Sequence, residues 1–203
     1  MKNLIVASNN ENKIKEIKEI LKDLPLEIYS LKEKEIFIDV EEDGETFEEN
    51  AFKKAREIYE VLKEKNEKDF IVMADDSGLE VDALNKRPGV YSARYAGEHG
   101  DSKKNNEKLL EELKGVPFEN RGGEFVCHLA LIDYYGKESS IEGRVKGKII
   151  ESIKGEDGFG YDPLFLIEEL NKTFGEIKPE EKNTISHRGI ALKELKKQIV
   201  KYL

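Results

Sequence analysis

The feature that most constrains this chain is a pair of adjacent carboxylates that follows an apolar run. Phe70-Ile71-Val72-Met73 is unbroken apolar sequence, which predicts a buried strand. Ala74-Asp75-Asp76-Ser77-Gly78 comes directly after it, and Leu79 returns the chain to a core. Charged groups are costly to bury unless something pairs them, and carboxylate oxygens suit a hard cation such as Mg²⁺. The pattern therefore predicts either a metal-binding site at the strand end or a polar strand-to-turn junction with capped amides.

The two aspartates are expected to point in different directions, and further carboxylates precede them in the chain. Side chains of neighbouring strand residues point to opposite faces, so Asp75 and Asp76 are expected to have different roles unless the turn rotates them together. An acidic segment with carboxylates from Asp39 to Glu45 lies upstream. We expect most of it to be solvated loop, with one or two carboxylates available to join Asp76 in a metal site.

Composition narrows the class of protein. The 203 residues predict one domain over 1–203, with two lobes. The net charge is −9 and no basic stripe stands out, which argues against a nucleic-acid polymer or an anionic membrane as the main partner. The apolar run near the N-terminus is too short for a signal peptide or a membrane span. Cys127 is the single cysteine, so no internal disulfide is possible and a cytoplasmic location is expected.

A polar turn lies between the first predicted strand and the first predicted helix. Leu4–Ala7 is apolar and strand-like, Ser8–Lys13 is polar, and apolar residues then recur at helical spacing. Free backbone amides at a helix start form an anion site, to which Lys13 adds a positive charge. The alternative is an Asn or Ser cap with no ligand. The turn lacks the glycines of a Walker loop.

Two later segments carry residues typical of ligand binding. Gly155–Pro163 is a glycine-rich loop with Phe159 and Tyr161, and such aromatic residues offer a stacking platform for a base. The alternative is a long loop without function. Glu180–Gly189 leads into the last predicted helix and places His187 and Arg188 near its start. An anion site, a carboxylate metal site and an aromatic loop together describe a nucleotide site, and metal-assisted attack by water is the simplest chemistry for it.

Six motifs in this order and spacing resemble the inosine triphosphate pyrophosphatase family, the XTP/dITP diphosphatases. The motifs, which span essentially the whole chain, are Ser8–Lys13, Thr46–Ala51, Ala74–Leu79, Pro88–Tyr95, Gly158–Pro163 and Ser186–Gly189. The resemblance implies an α/β fold: an elongated two-lobed domain with a long, mixed, twisted sheet flanked by helices and an active-site cleft between the lobes. It also implies a homodimer.

The resemblance further implies the role of each site residue. Asp76 is expected to hold Mg²⁺ and to act as the catalytic base, with Glu41 as second metal ligand and Glu42 as the near alternative. For substrate binding, the resemblance implies that the triphosphate is bound by Ser8, Asn9, Asn10, Glu11, Asn12 and Lys13, and that Ser77 also contacts the substrate. The implied base platform consists of Phe159, Gly160, Tyr161 and Asp162. The implied base pocket is completed by Lys182, His187 and Arg188.

The implied activity is Mg²⁺-dependent hydrolysis of ITP, dITP and XTP to the monophosphate and pyrophosphate, which removes non-standard purines from the nucleotide pool. Two alternatives stay open. One is a related nucleotide pyrophosphatase with another base preference. The other is a nucleotide-binding sensor without turnover, which the presence of both Asp76 and Lys13 disfavours.

Overall fold

A computed structural model of the chain describes residues 2–199 and shows an α/β fold. The strands are β1 (Lys2–Val6), β2 (Leu26–Ser30), β3 (Phe70–Val81), β4 (Gly122–Asp133), β5 (Glu138–Ile149), β6 (Phe165–Ile167) and β7 (Lys172–Thr173). The α-helices are α1 (Glu11–Leu21), α2 (Phe47–Glu64), α3 (Ser102–Glu112), α4 (Pro179–Ile185) and α5 (His187–Gln198).

The strands form one mixed sheet, as the resemblance implied. It has seven strands in the order β2-β1-β3-β4-β5-β6-β7. β1 pairs in parallel with β2 and with β3, which places the strands that precede the polar motifs side by side. β6 pairs antiparallel with β5 and with β7. Polar residues that follow parallel strands meet at one edge of the sheet, where open α/β sheets bind ligands.

The helix starts follow local capping chemistry. The Asn10 side chain accepts hydrogen bonds from two amides of the first turn of α1, and Asp101 caps α3. Thr46 and Glu49, in one of the six motifs, form a capping box at the start of α2. Because these bonds join residues close in sequence, the helix starts were predictable from the sequence.

The double-aspartate stretch corrects one prediction. It does not end a strand: Asp75 and Asp76 lie inside β3, which continues to Val81 and is buried over most of its length. Lysines from two helices pair the two carboxylates, as described below, so their charge does not force the chain to turn toward solvent. Ser77 is a strand residue and not the cap of a turn.

The chain divides into two compact units. Unit 1 comprises residues 1–76, 127–143 and 190–203, and unit 2 comprises residues 77–126 and 144–189. The single domain predicted over 1–203 stays a prediction. Residues 1 and 200–203 lie outside the described residues. They include Tyr202, which helical spacing assigns to the apolar face of the last predicted helix. Between residues 2 and 199 we find no helix long and apolar enough to cross a membrane.

The side chains on the two faces of β3 pack in two different apolar clusters of unit 1. Ile71 and Met73 pack in the cluster that contains Cys127, whereas Phe70, Val72 and Ala74 pack in a second cluster with α2. Unit 2 has its own core, formed around β6 and α3. By the same alternation, Asp75 belongs to the first face of β3 and Asp76 to the second.

Candidate active site

Asp75 is a buried carboxylate that accepts hydrogen bonds from the side chains of Lys13 and Cys127. Lys13 of α1 places its ammonium nitrogen 2.6 Å from Asp75 Oδ1. The Cys127 thiol of β4 lies 3.2 Å from Asp75 Oδ2 and donates to it. Lys13 is thus fixed by a carboxylate 62 residues away in the chain, and Cys127 is a buried partner of that carboxylate.

Asp76 faces a different lysine. The Lys54 ammonium lies 3.1 Å from Asp76 Oδ1 and 2.6 Å from Glu42 Oε1, and it also donates to the Asp75 carbonyl at 2.8 Å. Asp76 Oδ2 is buried, and residues 2–199 supply it with no hydrogen-bond partner. We call Lys13, Glu42, Lys54, Asp75 and Asp76 the carboxylate–lysine cluster; all of it lies in unit 1.

Burial and charge shift the pKa values of this cluster. Burial raises the pKa of Asp76; Lys54 and Lys13 oppose this, and Glu42 adds to it. Burial lowers the pKa of Lys54, but the attraction of Asp76 and Glu42 outweighs it, so the net pKa of Lys54 is raised. Lys54 therefore remains an ammonium ion, while Asp76 is a stronger base than an exposed carboxylate.

The carboxylates of Asp76 and Glu42 suit a hard cation that needs only a few ligands from the protein. Asp76 Oδ2 is a buried acceptor with free lone pairs, and Glu42 and Asp76 already share one cation, the Lys54 ammonium. No group of three or more His, Cys, Asp or Glu side chains suited to a metal exists within the described range. Mg²⁺ is commonly held by one or two carboxylates together with water and substrate phosphates, so the residues fit Mg²⁺.

The two candidate metal ligands of the acidic segment differ in position. Glu42 is half-buried and reaches Lys54, which it shares with Asp76. Glu41 is exposed and acts electrostatically on Lys53. The structure thus brings the alternative residue, Glu42, to the carboxylate–lysine cluster.

The turn before α1 is held by its own side chains. Ser8 Oγ accepts from the Asn10 amide at 3.1 Å, and Asn10 Oδ1 accepts from the Asn12 and Lys13 amides at 3.0 and 3.2 Å. Asn9 donates to the Ile38 carbonyl at 3.3 Å. The predicted cap is therefore present. Glu11 and Asn12 are exposed in the first turn of the helix.

The predicted base-binding residues meet in unit 2. Lys182 of α4 and Asp162 form a buried ion pair of 2.7 Å, and Asp162 Oδ2 also accepts from the Phe159 amide at 2.8 Å. The Lys182 ammonium lies 4.8 Å from the centroid of the Phe159 ring. We call residues 155–163 the base-platform loop. In it, Gly158 and Gly160 have φ values of +79° and +63°, which favour glycine.

Arg188 and His187 begin α5. Arg188 is fully buried, donates to Ser77 Oγ at 3.2 Å and lies with its guanidinium 5.8 Å from the Phe159 centroid. The His187 ring stacks on Phe125 at a centroid distance of 4.8 Å. The structure therefore groups Ser77, Phe159, Asp162, Lys182 and Arg188 in unit 2 and places His187 beside the Phe125 ring.

The sequence interpretation missed Lys54, although a signal for it exists. Lys54 lies on the apolar face of α2 between Ala51 and Ile58, where a charged residue is anomalous. A lysine in that position predicts a buried anionic partner. The role of Asp75 as a partner of Lys13 was also missed, because no sequence pattern joins the two.

Comparisons with known proteins agree with this geometry. The sequence profile of the Ham1 family matches residues 4–198. The chain is 61% identical to a dITP/XTP pyrophosphatase of Clostridium perfringens, over 97% of this chain and 96% of that protein. It is 50% identical to a dITP/XTP pyrophosphatase of Clostridium tetani, over 100% of this chain and 98% of that protein.

The fold agrees as well. The solved structure of the Staphylococcus aureus Ham1 protein superposes with a TM-score of 0.86 at 40% identity, and the match covers 100% of both chains. Sequence and fold thus match over the full length, and the chain belongs to the Ham1 family.

Proposed function

We propose that this protein is a nucleoside triphosphate pyrophosphatase that acts on dITP, ITP and XTP. The observation that carries the proposal is the buried Asp76 carboxylate, which lies beside the Lys54 ammonium and has one oxygen for which residues 2–199 supply no hydrogen-bond partner. Relatives at 61% and 50% identity are named for the same activity. The reaction converts the triphosphate and water into the nucleoside monophosphate and pyrophosphate.

In the proposed reaction, Asp76 is the general base. Its carboxylate takes the proton of the attacking water at Oδ2, the oxygen for which residues 2–199 supply no hydrogen-bond partner. The water oxygen attacks the α-phosphorus, the bond to the bridging oxygen of the β-phosphate breaks, and pyrophosphate leaves. Lys13 and Lys54 supply positive charge for the phosphate oxygens, and the turn formed by Ser8 to Asn12 lies at a helix N-terminus, which favours anions.

Mg²⁺ is the proposed cofactor, held by Asp76 and by a carboxylate of the acidic segment. Glu42 is the favoured second ligand, since it shares Lys54 with Asp76, whereas Glu41 is exposed. When bound, Mg²⁺ supplies a lowered pKa for a coordinated water and neutralises charge on phosphate oxygens. Magnesium sites need few protein ligands when the substrate phosphates complete the coordination.

Specificity for the base is assigned to unit 2. Phe159 offers a ring for stacking, and the buried cations Lys182 and Arg188 lie within 6 Å of its centroid, at 4.8 and 5.8 Å. Such donors suit the 6-oxo group of hypoxanthine and xanthine. Adenine carries an amino group there, which cannot accept a hydrogen bond from these donors, so ATP should bind less tightly.

Product analysis tests the proposal. dITP, ITP, XTP, GTP and ATP are each incubated with Mg²⁺ or with a chelator. Pyrophosphate plus the monophosphate, formed from dITP or XTP only with metal and scarcely from ATP, is the expected result. Orthophosphate plus the diphosphate would place attack at the terminal phosphate. Preference for another base, or binding without turnover, would favour the related pyrophosphatase or the sensor.

Two further properties belong to the proposal. We expect a homodimer, which sedimentation equilibrium tests by mass. We also expect a cytoplasmic location, because the single cysteine, Cys127, is a buried thiol that forms no disulfide. Fractionation of the source cells tests the location.

A further inference from the structure

We infer that Asn106 of α3 is a positioning residue that holds the base-platform loop in place for the purine. The inference rests on the proposed function, because it concerns the loop assigned to the base. Asn106 lies outside the motifs that carry the family resemblance, and its partner in the loop is 54 residues away in the chain.

The contact falls at the centre of the loop. Asn106 is 4% exposed, and its Nδ2 donates to the Gly160 carbonyl at 3.0 Å. Gly160 lies between Phe159 and Tyr161 and has a φ of +63°. Because glycine has no side chain, its own backbone does little to hold the neighbouring peptide planes in one orientation. The Gly160 carbonyl lies in the peptide plane between Gly160 and Tyr161, so the bond from Asn106 fixes the backbone one residue after Phe159.

A second tie reaches the same loop from the neighbouring residue of α3. Asn105 Nδ2 donates to the Ser92 carbonyl at 3.4 Å and to the Ala93 carbonyl at 3.2 Å. The Tyr161 hydroxyl donates to the same Ser92 carbonyl at 2.8 Å. The paired asparagines thus act on two successive loop residues: Asn106 binds Gly160 directly, and Asn105 binds the Ser92 carbonyl that also accepts from Tyr161.

Packing alone does not explain Asn106. Leu109 of the same helix is equally buried and joins the apolar core, whereas Asn106 carries a buried Oδ1 for which residues 2–199 supply no hydrogen-bond partner. Asparagine is a weaker helix former than leucine, and an orphaned buried oxygen is costly. A leucine of similar size would suit the fold better, so the directional bond from Nδ2 accounts for the asparagine.

The test compares Asn106→Leu with the wild-type chain. We expect the variant to melt at the same temperature or higher, because it loses an orphaned acceptor. Amide hydrogen exchange over residues 155–161 should become faster. The dissociation constant for inosine monophosphate, by calorimetry, should rise roughly two- to ten-fold, which is the worth of one hydrogen bond. The dissociation constant for pyrophosphate, which has no base, should not change.

Asp101→Ala is the matched control, and Asn106→Ala is a second variant in case the leucine does not fit. Asp101 caps the same helix by accepting from the Lys104 amide at 3.0 Å and does not contact the loop. Its removal should lower the melting temperature while exchange over residues 155–161 and affinity for inosine monophosphate stay as in the wild type.

Three results would overturn the inference. The first is unchanged exchange and unchanged affinity in both Asn106 variants. The second is a lower melting temperature together with an equal loss of affinity for inosine monophosphate and for pyrophosphate, which would show a merely structural role. The third is wild-type exchange over the loop in variants that still lose affinity. If the wild type itself neither binds the two products nor turns over dITP, the proposed function fails, and the exchange comparison still decides whether Asn106 ties the loop.

Discussion

The carboxylate–lysine cluster of unit 1 and the base-platform loop of unit 2 are held in different ways. In the cluster, opposite charges on β3 and on two helices compensate one another in a buried setting. In the loop, the Asn106 side chain donates to a backbone carbonyl and the Asp162 side chain accepts from a backbone amide, with the Asp162–Lys182 ion pair as the one charged tie described. Most of the loop before Phe159 is exposed.

The difference predicts different consequences of mutation. Removal of one member of the cluster leaves an uncompensated buried charge, which affects both the free energy of unfolding and the chemistry. Removal of one tie of the loop leaves a carbonyl that water can reach, so affinity for the base changes more than stability. The predictions below test this contrast, beginning with the largest effect.

Asp76→Asn should have the largest effect. The variant keeps the size of the side chain but loses the base, so kcat for dITP should fall by about 10²- to 10⁴-fold. The measurement is pyrophosphate release at saturating substrate. Asp82→Asn, which changes an aspartate 58% exposed just after the same strand, is the control and should keep wild-type kcat. Wild-type kcat in Asp76→Asn would assign the base elsewhere.

Lys54→Met should show the cost of an unpaired carboxylate. Glu42 and Asp76 lose their shared ammonium, and breaking a buried pair costs about 3–5 kcal/mol of unfolding free energy. Millimolar Mg²⁺ should restore part of the loss, since a cation that binds the native state stabilises it. Urea unfolding with and without Mg²⁺ measures both.

Lys53→Met is the control for that variant. Lys53 is the next residue of α2 and pairs with Asp43, whose side chain is 60% exposed. The loss should be much smaller than that of Lys54→Met, as for other exposed pairs. Equal losses in the two variants would contradict the assignment of buried compensation to Lys54.

Phe159→Ala should affect affinity and leave the fold intact. Stacking of a base on an aromatic ring is worth about 1–3 kcal/mol, so KM for dITP should rise roughly ten- to hundred-fold while kcat changes less. Steady-state kinetics separates the two constants. Phe118→Ala, at a ring 42% exposed that lies against Lys148, is the control. An unchanged KM in Phe159→Ala would remove the stacking platform from the proposal.

Glu33→Gln measures how much a surface ion pair contributes to the free energy of unfolding. Hydrogen bonds from Lys18 and then from Ser30 lower the pKa of Glu33 from 4.5 to about 2, so the ionised form stabilises the native state above pH 4.5 and the gain is lost as pH falls toward 2. The side chain is 47% exposed, so the effect stays below about 1 kcal/mol. Urea unfolding at pH 7, pH 3 and pH 2 should show the advantage of the wild type over the variant shrinking at each step as the pH falls.

Much of the molecule could be predicted because its determinants are local. The cap at Asn10 and the capping box of Thr46 and Glu49 each depend on residues within three positions, and both are present. The chemical types of the site, which are paired carboxylates, a glycine-rich aromatic loop and a Lys, His and Arg group, could also be identified in the sequence. The order of the motifs was sufficient to indicate the family.

The tertiary structure decided what depends on distant partners. The sequence predicted a strand end at Asp75 and Asp76, but lysines from α1 and α2 pair both carboxylates and β3 continues. Lys54 reaches Asp76 across 22 residues, and Asn106 reaches Gly160 across 54. By itself, the sequence determined where helices start and which chemical groups are present. Only the folded chain decided which charges compensate one another, because burial of a charge depends on partners that the fold brings together.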